Sequence, residues 1–144
     1  MAKRKGCHIR ITDKNKLPWK SKARVVDKRD GLLIEQKIME MIEYSYIVMK
    51  NFPKSEKFAL CADIKRIEDT LLEHCIEAEK KYTKKTTLQE MDIAVAKLKA
   101  FIRLSFNLGF INMHVYEVWS GKVVEIGKML GGWIKTVNYP VKST

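Results

Sequence analysis

Thr87-Leu88-Gln89-Glu90-Met91-Asp92-Ile93-Ala94-Val95-Ala96-Lys97-Leu98-Lys99-Ala100-Phe101-Ile102-Arg103-Leu104-Ser105 is the stretch that decides the fold. Leu88, Met91, Val95, Leu98, Ile102 and Ser105 recur at three- and four-residue spacing, which sets them on one face of an α-helix. Asp92, Ala96, Lys99 and Arg103 fall on the face away from that stripe. A helix with one apolar stripe needs other elements to cover it. Thr87-x-x-Glu90 reads as a capping box at its start, and Gly109 as its stop.

The same period recurs on both sides. Upstream, Ser55 reads as an N-cap with Glu56 in the first turn. Its stripe is Phe58, Cys61, Ile64, Ile67 or Glu68, Leu71, Cys75 and Ala78, and it runs out in Lys80-Lys81-Tyr82-Thr83-Lys84-Lys85. Further upstream, Leu33, Ile34, Ile38, Met41, Ile42, Ser45 and Val48 or Met49 mark a helix from about Leu32 to Met49, with Asp30 as its cap. Asn51-Phe52-Pro53-Lys54 breaks it, because proline cannot continue the hydrogen-bond ladder. Downstream, a helix starting near Asn112 carries Val115, Trp119, Val123, Ile126, Leu130, Trp133 or Ile134, and Val137, and ends at Tyr139-Pro140.

Four helices joined by connections of about four to eight residues predict antiparallel neighbours, hence an all-α, up-down four-helix bundle. At 144 residues the chain is one domain's worth. A hydrophobic fraction of 46% supports a real core, and only 7 Gly and 3 Pro argue for few long helices over many short strands.

Charge divides the chain differently. Residues 1–29 hold 11 Lys and Arg against Asp13 and Asp27, a net of +9 out of the chain's +11. Like charges packed into one short segment repel unless a polyanion neutralises them. The segment has no helical period. His8-Ile9-Arg10-Ile11-Thr12 alternates like a short strand, and Pro18-Trp19 interrupts the chain beyond it. The organisation expected is a basic N-terminal arm over 1–29, a bundle over 30–139 and a tail over 140–144, with the arm ordering on a partner. Trp19 sits among Lys16, Lys20, Lys22 and Arg24, where an aromatic can stack on a base while its neighbours bind phosphates. The nucleic-acid-binding candidates are Lys3, Arg4, Lys5, Arg10, Lys14, Lys16, Trp19, Lys20, Lys22 and Arg24 of the arm, with Lys84 and Lys85 of the bundle. Lys65, Arg66, Lys99 and Arg103 are partner-binding candidates, a basic surface for nucleic-acid phosphates or for an acidic protein face; as charged helix faces they also read as simple solvated surface.

Catalytic chemistry finds little support. No nucleophile–base pair, glycine-rich phosphate loop or poised carboxylate pair is visible. His8, His74 and His114 are scattered, and Leu71 and Ile111 stand where a Glu-x-x-His metal pair would need glutamate. Cys7, Cys61 and Cys75 are odd in number and lack metal spacing, and Cys61 and Cys75 lie roughly 21 Å apart along one helix, too far to bridge. They read as buried reduced thiols of a cytoplasmic protein. No metal, cofactor or catalytic residue is expected. No secretory signal or membrane-spanning run is present. Gly127-x-x-x-Gly131-Gly132 interrupts the last helix. Lys122, Glu125, Lys128 and Lys135 exclude a membrane reading, so the glycines suggest close approach of another helix, within the bundle or from another subunit; ordinary core packing accounts for them as well.

Four segments carry a resemblance. Phe52-Pro53-Lys54-Ser55-Glu56-Lys57-Phe58 resembles the signature of small four-helix-bundle proteins that include Avd, the accessory variability determinant of diversity-generating retroelements, and proteins encoded in intervening sequences of ribosomal RNA genes. Lys81 to Leu88, Tyr116-Glu117-Val118-Trp119-Ser120 and Glu125 to Ile134 narrow the likeness to Avd, which spans about residues 25 to 137. The long arm departs from the pattern, so the resemblance is silent on residues 1–24. It implies a homopentameric ring and a non-enzymatic partner of an error-prone reverse transcriptase. The pair would form a ribonucleoprotein that copies template-repeat RNA into mutagenised cDNA, the step behind mutagenic retrohoming. RNA is the implied ligand, with DNA as a second. The alternative is a stand-alone bundle from an intervening sequence.

Overall fold

The computed structural model describes residues 28–138. They form four helices: α1, Lys28–Met49; α2, Leu60–Lys80; α3, Lys85–Asn107; and α4, Met113–Asn138. A 3-10 turn over Lys54–Glu56 lies between α1 and α2. Each helix packs on its chain neighbours, and α1 also packs on α4, which closes the four-helix bundle. No strand occurs among the described residues.

The apolar stripes meet in one core. Ile34, Ile38 and Met41 of α1 are buried with Ile64 and Leu71 of α2, Met91, Leu98 and Ile102 of α3, and Trp119, Ile126 and Leu130 of α4. Burying each such side chain stabilises the fold by about 1.5–3 kcal/mol before entropy is counted. Cys61 and Cys75 are buried in this core and form no disulfide. Burial pushes both thiols up from their ordinary range.

The two ends of the bundle differ. Phe52 packs against Phe110 with the rings tilted at 53° and 5.4 Å between centroids, so the α1–α2 and α3–α4 connections share one end. Lys84 lies 5.9 Å over the Trp133 ring, which sets the α2–α3 link beside the last turns of α4. The first residues of α1 belong to that same end, because α1 runs antiparallel to its two neighbours.

Helix starts are where the sequence expectation needs correction. The first helix begins at Lys28 rather than near Leu32, so Asp30 lies inside it and is not its cap. Ser55 is not an N-cap either. Pro53 leads into the 3-10 turn, and α2 starts only at Leu60, after Ala59. Lys57 turns back, its ammonium donating to the Met49 and Lys50 carbonyls at 2.7 and 3.1 Å, so it closes the end of α1. Phe58, expected in the stripe, is consequently thrown outward and is 95% exposed, while Phe52 takes the buried place. The Thr87–Glu90 capping box does not form. The N-cap is Lys84, and Thr87, already within the helix, accepts a bond from the Lys81 ammonium at 3.1 Å.

Two ends behave as expected. Gly109 has φ of +83°, where a side chain would be strained. Its N–H donates to Phe106 and that of Phe110 to Ser105, the paired bonds of a Schellman stop. Asn112 caps α4, its Oδ1 accepting from the Val115 N–H at 2.8 Å. The Tyr139-Pro140 stop, the strand at His8 to Thr12, Cys7 and His8 lie outside the described residues.

Candidate nucleic-acid interface

The α2–α3 link is the most basic feature of the described bundle. Lys80, Lys81, Lys84 and Lys85 surround it, and no acid occurs between Lys80 and Gln89. The link is tied at both sides. The Lys84 ammonium donates to the Ala78 carbonyl at 2.8 Å, completing the end of α2. The Lys81 ammonium holds Thr87 in the first turn of α3. The helix termini themselves therefore shape the turn, a favourable use of cations at a helix C-terminus. Lys80 and Lys85 stay exposed and stand outside salt-bridge distance of any described acid. Between them Tyr82 is fully exposed. A shallow groove of about 180 Å³ adjoins, lined by Lys85, Leu88, Gln89 and Asp92 of α3 and by Ile134, Val137 and Asn138 of α4.

Of the candidate binding residues, Lys84 and Lys85 thus lie together at this end, where α1 also begins. Lys3, Arg4, Lys5, Arg10, Lys14, Lys16, Trp19, Lys20, Lys22 and Arg24 lie outside the described residues. The four partner-binding candidates do not converge. Lys65 leans on α1, its ammonium 4.5 Å from the Tyr46 ring centroid. Arg66 is held by Asp63 of its own helix at 2.6 Å. Lys99 and Arg103 are exposed on α3 with Asp92 and Ala96. The Lys99 ammonium approaches Gly127 of α4, so it lies toward the seam opposite that of Lys65.

Gly127 is the one glycine of its trio close to another helix. A Cβ there would meet Val95 at 3.5 Å, an ordinary contact. Gly131 and Gly132 face open space, so close approach within the protomer does not account for them.

The His74 Nδ1 lies 3.1 Å from Glu77 Oε1 on the same helix. No group of three His, Cys, Asp or Glu that could hold a metal ion occurs among the described residues. No described helix is long and apolar enough to cross a membrane.

One polar feature is left open by the sequence, where either Ile67 or Glu68 fits the stripe. Glu68, not Ile67, occupies the inner position on α2 and is 0% exposed. Both its carboxylate oxygens, the Ser45 hydroxyl and the Trp119 indole nitrogen are buried without a hydrogen-bond partner. Burial pushes the Glu68 carboxyl up to about 8. The Ser45 hydroxyl and Lys65 pull it back, and Asp69 adds to the rise. The Ser45 hydroxyl is near enough to exert this pull yet does not reach hydrogen-bonding geometry. Tyr82 is the other residue that the sequence candidates omit. It does carry a signal there, an aromatic between lysine pairs, the same pattern that singles out Trp19.

The bAvd-like family model matches residues 32–137, nearly all of the described bundle. The chain belongs to the bAvd-like family. That bAvd-like match starts four residues into α1 and takes in the link at Tyr82, but it leaves out the arm. Among curated proteins the chain finds no match.

Proposed function

We propose that this protein is a non-catalytic, nucleic-acid-binding accessory subunit of a diversity-generating retroelement. It works beside an error-prone reverse transcriptase on template RNA. The observation that carries the reading is its membership of the bAvd-like family over residues 32–137. The charge distribution supports it. The lysines of the α2–α3 link share one end of the bundle with the start of α1, which follows a segment of nine Lys and Arg against Asp13 and Asp27 over residues 1–27, and phosphates there would neutralise both.

In this reading the bundles form a homopentameric ring. Leu32, Met39 and Tyr46 are exposed at seven-residue spacing on α1, an apolar line that leaves the core and suits contact with a neighbouring subunit. The test is co-expression with the reverse transcriptase of the same locus and its template RNA. Co-purification of all three is expected. Retention of neither polymerase nor RNA at low salt would contradict the proposal and favour a stand-alone intervening-sequence protein.

A further inference from the structure

We propose that Tyr82 is a stacking platform for an unpaired nucleobase, so that the basic end of the bundle prefers single-stranded over double-stranded RNA. The inference rests on the nucleic-acid-binding reading and adds what that site selects. Tyr82 lies in the link between α2 and α3, with a relative exposure of 101%. It joins in no ring contact, hydrogen bond or cation–π pair within the described bundle. Its chain neighbours, by contrast, are held. The Lys81 ammonium is bonded to Thr87 and the Lys84 ammonium to the Ala78 carbonyl. The ring is therefore projected from a fixed turn rather than from a loose loop. Such a ring gives up little conformational entropy on capturing a flat partner.

The surroundings specify that partner. Lys80 and Lys85 flank Tyr82 in the sequence, are exposed, and stand outside salt-bridge distance of any described acid. The combination of a bare aromatic and flanking cations matches one nucleotide unit, base on ring and phosphates on lysines. Every base has a π-face, so the stack tolerates any sequence. A paired base within a duplex already has both faces stacked and offers the ring none. Among the described residues the other aromatic near this link, Trp133, is half-buried and has the Lys84 ammonium over its ring, whereas Tyr82 is bare.

The experiment uses the full chain, a short labelled single-stranded RNA of mixed sequence, and the same strand annealed to its complement. Fluorescence anisotropy gives both affinities. Tyr82→Ala should weaken single-strand binding by roughly 5- to 100-fold and leave duplex binding unchanged. Tyr82→Phe should keep the single-strand affinity. Tyr82→Trp should bind the single strand with quenching of its added emission, relative to wild type. Lys80→Ala with Lys85→Ala should weaken both ligands and lower the salt dependence. If the wild type binds RNA in a salt-dependent way and Tyr82→Ala binds single strands equally well, the stacking inference is overturned while the nucleic-acid reading stands. If Tyr82→Ala instead loses only the reverse transcriptase, Tyr82 is a protein contact and the inference is equally overturned. If the wild type binds neither RNA at low salt, both readings fall.

Discussion

Glu68 is the residue whose behaviour departs most from its surface relatives. A carboxyl that is 0% exposed and unbonded is held in its neutral form, with its folded pKa near 8 against an ordinary value of 4.5. Below about 4.5 the group is protonated both folded and unfolded, and its contribution to stability is fully present. As pH rises from there toward 8 only the unfolded chain loses the proton, so stability falls by about 1.4 kcal/mol per pH unit. Above 8 both states are ionised and the decline levels off. Urea unfolding at pH 5 and pH 9 checks this. Glu68→Gln should match the wild type within about 1 kcal/mol at pH 5 and exceed it by on the order of 3 kcal/mol at pH 9. An unchanged pH profile in the variant would disprove the assignment. In the sequence Ile67 and Glu68 are equal candidates for the inner position, since the three- and four-residue steps reach both. Periodicity reports position, and apolarity breaks ties toward isoleucine. Packing of α2 between α1 and α3, with Ser45 of α1 beside the carboxyl, selects the other.

At the scale of elements, the legible and illegible parts separate cleanly. The interiors of α2, α3 and α4 are readable in the sequence because burial imposes one period on many residues at once. Their beginnings are not, because a start depends on one or two local bonds. Ser55 and Thr87 both have favourable capping chemistry, yet each gives way to a competing arrangement. Pro53 imposes a 3-10 turn on Ser55, and the Lys81 ammonium engages Thr87 inside α3. The shift at α2 exchanges the roles of two phenylalanines, which mutation can read. Phe52→Ala should cost about 3–5 kcal/mol. Phe58→Ser should change monomer stability by less than about 0.5 kcal/mol. Thermal or urea unfolding separates them, and a large cost at Phe58 would restore the sequence-based register. The stop of α3 gives a second test. Gly109→Ala should cost about 1–2 kcal/mol, because φ is +83° there and an alanine Cβ is strained in the left-handed region.

At the scale of the whole molecule, the charge asymmetry of the sequence gains a location. Composition puts +9 in residues 1–29 but does not say where that charge meets the body. Topology does: α1 starts at the end that carries the α2–α3 link, so the proposed function has the basic segment and the lysine cluster share one polyanion. Deleting residues 1–24 should lower both RNA affinity and its log–log salt slope, the slope falling by about 0.7–0.9 for every phosphate that the arm neutralises. Native mass spectrometry tests the proposed ring. Five copies of a 16.8 kDa chain give about 84 kDa, and a species of one chain's mass at working concentration would refute the ring. The accessory role itself is tested most directly by cDNA synthesis. The reverse transcriptase of the same locus and its template RNA are incubated with and without this protein. The account predicts template-repeat cDNA only when both proteins are present, and none from this protein alone. Full cDNA yield from the polymerase without it, or polymerisation by this chain alone, would contradict the account.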